Sequence, residues 1–371
     1  MAKRRKRLLS NMSKILLVFL VLGAILLSGI IYYTKPTTLP IKLPIDKVKL
    51  FKIEIKLDKE ELFMVLGEKE SIKASVDDVK WSSSDENIVK ISDTGEITTV
   101  SAGEAIVTAT KMSGEASLKV KVTDLISLPV IDNKKPKLTC KRYTKEESDT
   151  LEYFLEKRIN DSGYQTRAGA VAAARFLTLE FKYRLQYFFE NGRLHTEGGR
   201  TYADGEGRWY HKGLYLTEDK FSILAASNRG PVIWGCPMYE GITGKTTNNG
   251  LDCSGFVTWA LFNAGYDPKD VGAGVSNALD LTDIGEKTTI TKTLINSDKY
   301  KVGDLIGRQG HIGIIIGIDG NNIYIAEALD AGNFDLHVQE TTKEKILKSD
   351  WKYIILMDKF YKQDGKLTNM W

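Results

Sequence analysis

The stretch that decides the fold of the C-terminal half is Asn249-Gly-Leu-Asp-Cys253-Ser-Gly-Phe-Val-Thr-Trp-Ala-Leu-Phe-Asn-Ala-Gly265. Asn249-Gly250 is a turn pair and Asp252 is a common helix-capping residue, so a helix is predicted to begin at Cys253. Four apolar residues then recur at the spacing of one buried helical face: Phe256, Val257, Ala260 and Leu261. The sequence therefore predicts a cysteine on the first turn of a buried helix.

A thiol at that position is suited to nucleophilic catalysis. The partial positive charge at a helix N-terminus is expected to lower the pKa of the Cys253 thiol and to raise its thiolate fraction. The backbone N–H groups of the same turn can stabilise an oxyanion on a substrate. The competing interpretation is a buried cysteine that packs as a small apolar side chain.

His311 is the candidate base for this thiol. It lies in Val302-Gly-Asp-Leu-Ile-Gly-Arg-Gln-Gly-His311-Ile-Gly-Ile-Ile-Ile-Gly317, a pattern typical of a short strand, a Gly-rich turn and a second strand that starts near His311. An imidazole held on a rigid strand can accept the thiol proton and later pass it to a leaving amine.

Glu327 is the candidate for orienting that imidazole. On the next predicted strand, Asn322-Ile-Tyr-Ile-Ala-Glu327-Ala, it shares a face with Ile323 and Ile325. A carboxylate on an apolar face is costly without a partner, and His311 is the expected partner. His337, on a later strand, is the second candidate for the orienting role.

The remaining histidines and cysteines carry weaker signals. His195 and His211 lie in a Gly- and Arg-rich stretch without a strand pattern and are predicted on loops or the surface. The chain has three cysteines, so Cys140 and Cys236 are left to pair if Cys253 is catalytic. Because the His, Cys and acidic residues lack zinc-ligand spacing, neither a metal nor a cofactor is expected.

Four stretches together resemble the NlpC-type cell-wall peptidases, over about residues 230 to 361. They are Gly250-Leu-Asp-Cys253-Ser-Gly-Phe-Val, Gly303-Asp-Leu-Ile, His311-Ile-Gly-Ile-Ile-Ile-Gly and Tyr324-Ile-Ala-Glu327-Ala. Members of that family are papain-like cysteine enzymes that cut peptide bonds in the stems of peptidoglycan. The resemblance implies an α+β papain-like domain over 140–371, in which the helix that carries the cysteine packs on an antiparallel sheet.

The resemblance also implies roles for individual residues. Cys253 would be the nucleophile, His311 the base and Glu327 the orienting residue, with Asp252 and Ser254 beside the cysteine in contact with substrate. The family more often has His or another polar residue at the third place. A carboxylate there would hold the imidazole in the same tautomer and favour the imidazolium.

A tyrosine that usually lines the substrate site shortly before the cysteine helix is absent from its expected place. The stretch Val232-Ile-Trp234-Gly235 keeps the Trp-Gly pair without a tyrosine, and Trp234 is one candidate for contacting substrate. The earlier stretch Leu185-Gln-Tyr187-Phe-Phe-Glu-Asn-Gly192 offers Tyr187 as the other, which would make 193–249 an insertion beside the site. A core aromatic is an equally good interpretation of Tyr187.

The N-terminus predicts a membrane anchor. The 19 residues from Ile15 to Tyr33 are uncharged, and at about 1.5 Å per residue a helix of that length crosses the roughly 30 Å hydrocarbon core of a bilayer. Basic residues crowd the preceding tail, 1–14, which places that tail in the cytosol and the rest of the chain outside the cell. A cleaved signal peptide is the alternative.

Charge excludes one class of partner. The chain has a net charge of +4, and the six basic residues before the span account for +6, which leaves about −2 outside the membrane. There is no basic stripe of the kind that nucleic-acid binding requires. Prolines 36, 40 and 44 predict an extended stalk over 34–50.

The pattern of residues 51–124 predicts a β-sandwich. Six short strands are predicted, separated by turn residues: 51–57, 71–76, 88–92, 95–100, 105–110 and 116–122. Two stretches of sequence are similar to the group 2 bacterial Ig-like domains, which serve as spacers or adhesive modules. They are Val79-Lys-Trp81-Ser-Ser-Ser-Asp85 and Ala102-Gly103-Glu-Ala-Ile-Val-Thr-Ala. Trp81 is the expected core residue.

A second linker is predicted at 125–139, followed by two helices. Thr144 and Glu147 form a capping-box pattern at the start of the first helix, which buries Leu151, Phe154 and Leu155. The second helix is predicted from about Thr166 to Phe181.

These observations favour a membrane-anchored extracellular cysteine hydrolase whose partner is peptidoglycan. Two alternatives stay open. One is a non-catalytic surface protein that binds the cell wall or a partner through its Ig-like domain. The other is an amidase of the related cysteine/histidine-dependent type, which shares the nucleophile and base chemistry.

Overall fold

The structure is a computed structural model. In its first part, seven strands form a β-sandwich. The structure describes residues 53–136, 144–185, 187, 251–268, 284–329 and 335–367, and the backbone of four two- to four-residue strands between 194 and 248. The sandwich strands are β1 (Glu61–Val65), β2 (Lys69–Ser71), β3 (Lys80–Ser83), β4 (Val89–Ile91), β5 (Glu96–Thr99), β6 (Gly103–Lys111) and β7 (Gly114–Thr123).

The two sheets of the sandwich enclose a small apolar core. One sheet has the order β1-β7-β6-β3, with β1 parallel to β7, and the other has the order β2-β5-β4. Alternate residues of β5, β6 and β7 point inward, including Ile97, Val107 and Leu118, all buried. Trp81 packs against this core while partly buried, which fits its predicted place.

The strand predictions for the sandwich were right for its second half and partly wrong for its first. Strands β4 to β7 lie where the sequence predicts them. Within the described residues 53–57, only Leu57 pairs, in a single bridge to Ala74, so the strand predicted over 51–57 is not formed there. Strands β1 and β3 were missed because neither shows the alternation of apolar and polar residues that marks a half-buried strand.

Two helices follow the sandwich, as predicted. They are α1 (Lys145–Ser162) and α2 (Arg167–Arg175). The capping box of α1 is present, since Thr144 and Glu147 exchange side-chain and backbone hydrogen bonds. Helix α2 passes directly into a π-helical turn, Phe176–Glu180, which the sequence did not indicate.

The segment between sandwich and α1 packs against the C-terminal region. Ile126 bridges to Phe181 and is buried. The ammonium of Lys135 donates to the carbonyl oxygens of Thr178, Leu179 and Phe181 at 3.2, 2.8 and 2.9 Å. These carbonyls lie at the end of the π-helical turn, where backbone acceptors lack helical partners, so Lys135 caps the turn.

The cysteine-bearing helix packs on a six-stranded antiparallel sheet. This helix is α3 (Cys253–Asn263). Four short strands precede it in the chain: β8 (Leu194–His195), β9 (Arg208–Trp209), β10 (Pro237–Glu240) and β11 (Thr246–Asn248). The sheet has the order β12-β17-β13-β14-β15-β16. Its strands are β12 (Glu286–Thr289), β13 (Leu305–Arg308), β14 (His311–Asp319), β15 (Asn322–Leu329), β16 (Asp335–Thr342) and β17 (Tyr353–Leu356), with short helices α4 (Lys292–Ile295) and α5 (Lys343–Lys348) beside them.

Both faces of this sheet are covered. Helices α2 and α3 pack on one face, where Ile314, Ile316 and Ala326 join the core that contains Phe256. Trp351 and a second set of isoleucines, including Ile325, form a smaller core on the other face. The C-terminal region is therefore β-rich, with its helices on an antiparallel sheet as the sequence predicts.

Several predictions lie outside the described residues. These are the cytosolic tail, the membrane anchor at 15–33 and the stalk at 34–50, together with Cys140, His211, Trp234 and Cys236. Among the helices that the structure does describe, none has the length and apolar character needed to cross a bilayer.

Candidate active site

The N-terminus of α3 presents Cys253 as predicted. Asp252 is the N-cap: its Oδ1 accepts from the backbone N–H of Gly255 at 2.6 Å and from the Ser254 hydroxyl at 3.2 Å. Cys253 is the first residue of the helix and is 6% exposed. Asp252 and Ser254 are thus engaged in forming the helix start, and their contact with substrate stays a prediction.

The Cys253 thiol reaches the turn that carries His311. Its Sγ lies 3.9 Å from the carbonyl oxygen of Gly310, the residue that precedes His311. His311 is the first residue of β14 and is buried. The structure therefore places the predicted nucleophile next to the β13–β14 turn, directly before the strand that begins with the predicted base.

Glu327 contacts the His311 ring, as the sequence predicts. The Oε2 atom of Glu327 lies 2.5 Å from Nε2 of His311, and both side chains are buried. The register of β14 and β15 explains the contact: Glu327 pairs with Gly313, two residues from His311 on the same face. With Nε2 held by the carboxylate, Nδ1 is the ring nitrogen left to exchange a proton with a thiol.

His337 lies on the other side of the same carboxylate. It stands directly opposite Glu327 in the pairing of β15 and β16. Its Nε2 is 3.5 Å from Glu327 Oε1, and its Nδ1 is 3.1 Å from the carbonyl oxygen of Asp335. Glu327, and not His337, is therefore the residue in contact with the His311 imidazole.

Trp351 covers the His311 ring and was not singled out in the sequence. The two rings are stacked, with centroids 5.3 Å apart and planes inclined by 30°. The Trp351 indole N–H donates to Gln339 on β16 at 3.0 Å, which fixes the orientation of the indole. Shielding from water strengthens the electrostatic contact between His311 and Glu327. A lone tryptophan just before a strand gives no sequence signal for this role.

Arg167 anchors α2 to the sheet and was also missed. Its buried guanidinium contacts carboxylate oxygens of Asp304 at 2.6 Å, Asp358 at 2.5 Å and Asp364 at 3.1 Å. Asp304 belongs to the Gly303-Asp-Leu-Ile stretch at the start of β13 and is buried. That motif residue therefore fixes the position of β13 against the helices rather than facing the cysteine.

Tyr187 lies close to the start of α3. Its backbone forms a parallel bridge to Leu251, two residues before Cys253, and its N–H donates to the Asp335 carboxylate at 3.3 Å. The ring is partly buried against the main core. Both interpretations of Tyr187, as a core aromatic and as a substrate contact, are compatible with this position. His195, predicted on a loop or at the surface, lies in the two-residue strand β8.

The described residues offer no separate metal centre. No group of three or more His, Cys, Asp or Glu side chains among them has the arrangement of a metal site. What they do offer is a thiol at a helix N-terminus, an imidazole and a carboxylate on that imidazole. Such a set can generate a thiolate, transfer its proton to a leaving group and hold the imidazolium in place.

Comparison with known proteins identifies the β-sandwich. Residues 64–122 match the family Bacterial Ig-like domain (group 2). A solved structure of a bacterial Ig-like domain containing GH10 xylanase from termite gut is 18% identical over 29% of this chain and 27% of that chain, with a TM-score of 0.17. No curated protein matches the chain. The chain therefore contains a group 2 bacterial Ig-like domain, ahead of the region that carries the cysteine.

Proposed function

We propose that this protein is a membrane-anchored extracellular cysteine hydrolase that cleaves peptide bonds in peptidoglycan stem peptides. The observation that carries the proposal is the contact of Glu327 with His311 at 2.5 Å, beside a thiol at the start of α3. A buried carboxylate bonded to an imidazole is costly to assemble and is typical of sites that transfer protons.

The reaction follows from the roles of the three side chains. His311 accepts the proton of Cys253, and the thiolate attacks the carbonyl carbon of the scissile amide. The first-turn amides of α3 stabilise the oxyanion of the tetrahedral intermediate. When that intermediate collapses, the C–N bond breaks and His311 passes its proton to the leaving amine. A water activated by His311 then hydrolyses the thioester and regenerates the thiol.

The substrate class is supported by the resemblance of the motifs around Cys253, His311 and Glu327 to those of cell-wall peptidases. The Ig-like domain fits this assignment, because modules of that kind act as spacers on bacterial surface proteins. The predicted anchor at 15–33 and stalk at 34–50 would hold the hydrolase on the outer side of the membrane, facing the wall. The proposed enzyme requires neither a metal nor an organic cofactor.

Digestion of purified peptidoglycan by the detergent-solubilised full chain tests the proposal, with released fragments identified by mass spectrometry. We expect new peptide ends from the wild type and none from Cys253→Ala. Fragments from both the wild type and Cys253→Ala, or from neither across several wall types, would contradict the proposal and favour the binding-protein alternative. Release of whole stem peptides would identify the amidase instead.

A further inference from the structure

The residue directly opposite His311 in the sheet is an arginine. Arg308 and His311 pair across the β13–β14 turn, and Gln309 and Gly310 are the two residues between them. Side chains of directly opposed residues lie on the same face, with Cβ atoms about 5 Å apart. The carbonyl oxygen of Gly310 lies 3.9 Å from the Cys253 thiol. One short turn therefore carries a guanidinium next to the proposed base and contacts the proposed nucleophile.

Two neighbouring side chains hold Arg308 in place. The Tyr353 hydroxyl donates to the carbonyl oxygen of Arg308 at 3.0 Å, which fixes the backbone at the end of β13. The guanidinium carbon lies 5.6 Å from the centre of the Trp351 ring, within the range of a cation–π contact. The same indole stacks on His311. Because the arginine is already ordered beside the base, binding a ligand there costs little further side-chain entropy.

The ion-pair partner of this arginine is at the surface. Within the described residues, the Arg308 guanidinium contacts one carboxylate, that of Asp350. The side chains of Asp350 and Arg308 are 66 and 27% exposed. The guanidinium of Arg167, in contrast, is 5% exposed and contacts three carboxylates. Exposed ion pairs contribute little to stability, so a second carboxylate can replace Asp350 on Arg308 at low cost.

The chemistry of the proposed substrate supplies such a carboxylate. Stem peptides carry free carboxylates, and an arginine can bind a carboxylate through two parallel N–H···O bonds. We propose that Arg308 is a specificity-determining residue that binds a free carboxylate of the substrate in place of Asp350. This role rests on the proposed function, which puts the substrate at Cys253. A purely structural role for the pair of Arg308 and Asp350 is the competing interpretation.

Calorimetric titration of the detergent-solubilised full chain tests this role, in a Cys253→Ala background that prevents turnover. The probes are a synthetic stem tetrapeptide with its carboxylates free and the same peptide with each carboxylate converted to a carboxamide. We expect the free peptide to bind about tenfold more tightly than the carboxamide form, the effect of one hydrogen bond to a charged group. Arg308→Gln should remove this difference, because the side-chain amide of glutamine carries no charge.

Two further variants separate binding from a structural role. Asp350→Asn removes the competing carboxylate, so we expect the free peptide to bind severalfold more tightly and the carboxamide form to bind as before. A pair that only stabilises the fold would not give tighter binding when it is broken. Lys299→Gln removes the same charge from an exposed side chain before the opposite end of β13, and it should leave both affinities unchanged.

The two proposals fail in different ways. If the wild type does not cleave peptidoglycan but binding depends on Arg308, the proposed function is wrong and Arg308 is still a carboxylate site. If the wild type cleaves, and the two peptides bind equally or Arg308→Gln keeps their difference, the function stands and the role of Arg308 is wrong. Absence of binding by either peptide would also overturn that role. The two peptides are compared on a chain with Arg308 intact, so this comparison decides the question even if Arg308→Gln does not fold.

Discussion

At the scale of single residues, the rate of the proposed reaction depends on whether Glu327 contributes a negative charge or only a hydrogen-bond acceptor for His311. Its Oε2 accepts from His311, and a charge-assisted hydrogen bond is about twice as strong as a neutral one. In Glu327→Gln the amide oxygen can still accept from His311, but the negative charge that stabilises the imidazolium is gone. We expect the rate of peptidoglycan cleavage to fall by about tenfold, and by more in Glu327→Ala.

A matched control for this prediction lies on the neighbouring strand. Glu340 is an exposed glutamate of β16, and Glu340→Gln removes the same charge without touching His311. Its cleavage rate should equal that of the wild type. If Glu327→Gln also cleaves at the wild-type rate, the carboxylate contributes geometry and no charge stabilisation.

At the scale of secondary structure, the π-helical turn contains a carboxylate in an unfavourable environment. Glu180 is fully buried; burial raises its pKa to about 7 from the usual 4.5, although the nearby Arg158 guanidinium opposes this shift. Among the described residues, one Glu180 oxygen, Oε1, has no hydrogen-bond partner. The other accepts from Arg158 Nε at 2.8 Å. Folding therefore keeps a proton on Glu180 that the unfolded chain releases.

This environment predicts how stability depends on pH. Between pH 4.5 and about 7 the folded chain binds one proton more than the unfolded chain at Glu180, so the free energy of unfolding falls as the pH rises through that window. The contribution is on the order of 3 kcal/mol. We expect Glu180→Gln to remove this part of the slope in urea unfolding of the full chain. Glu146→Gln, on the exposed first turn of α1, should keep it; an unchanged slope in Glu180→Gln would show that the carboxylate is ionised throughout.

Local signals in the sequence predicted the elements that position the cysteine and histidine. Asp252 before an apolar run marks the start of α3, and Gly310 before a β-branched run marks the start of β14; each signal acts within a few residues. The partnership of Glu327 with His311 was predicted because an acid on an apolar face needs a partner. Such signals are sufficient for the central part of the candidate site.

Other features depend on contacts between distant residues and were not predictable in the same way. The placement of His337 opposite Glu327 follows from the register of β15 and β16, which depends on the length and geometry of their connection. Trp351 reaches His311 from the segment just before β17, a strand that is separated from β14 by β13. The π-helical turn is stabilised by Lys135, more than forty residues earlier in the chain. Neither a helical period nor an alternating pattern reports such contacts.

At the scale of the whole molecule, the Ig-like domain shares buried surface with the region that carries the candidate site. The described residues from 53 onward belong to one compact unit. Val65, at the end of β1, is fully buried in the same cluster as Leu151 and Phe154 of α1. Beside it, the ring of Phe63 lies 4.8 Å from that of Tyr153. A spacer that moved independently would leave these apolar side chains in water.

The shared core predicts that a substitution that destabilises β1 also destabilises α1. Val65→Ala removes two buried methyl groups at the boundary and should destabilise both elements by about 2 kcal/mol, since part of the space cannot be refilled. Val107, fully buried in the core of the sandwich alone, is the matched control. In native-state hydrogen exchange of the full chain, we expect Val65→Ala to speed exchange of the Leu151–Leu155 amides, and Val107→Ala to speed exchange in the sandwich only. If Val65→Ala leaves the hydrogen-exchange rates of the α1 amides unchanged, the two regions are stabilised independently. The Ig-like domain would then be a tethered spacer and would not support the helices beneath the candidate site.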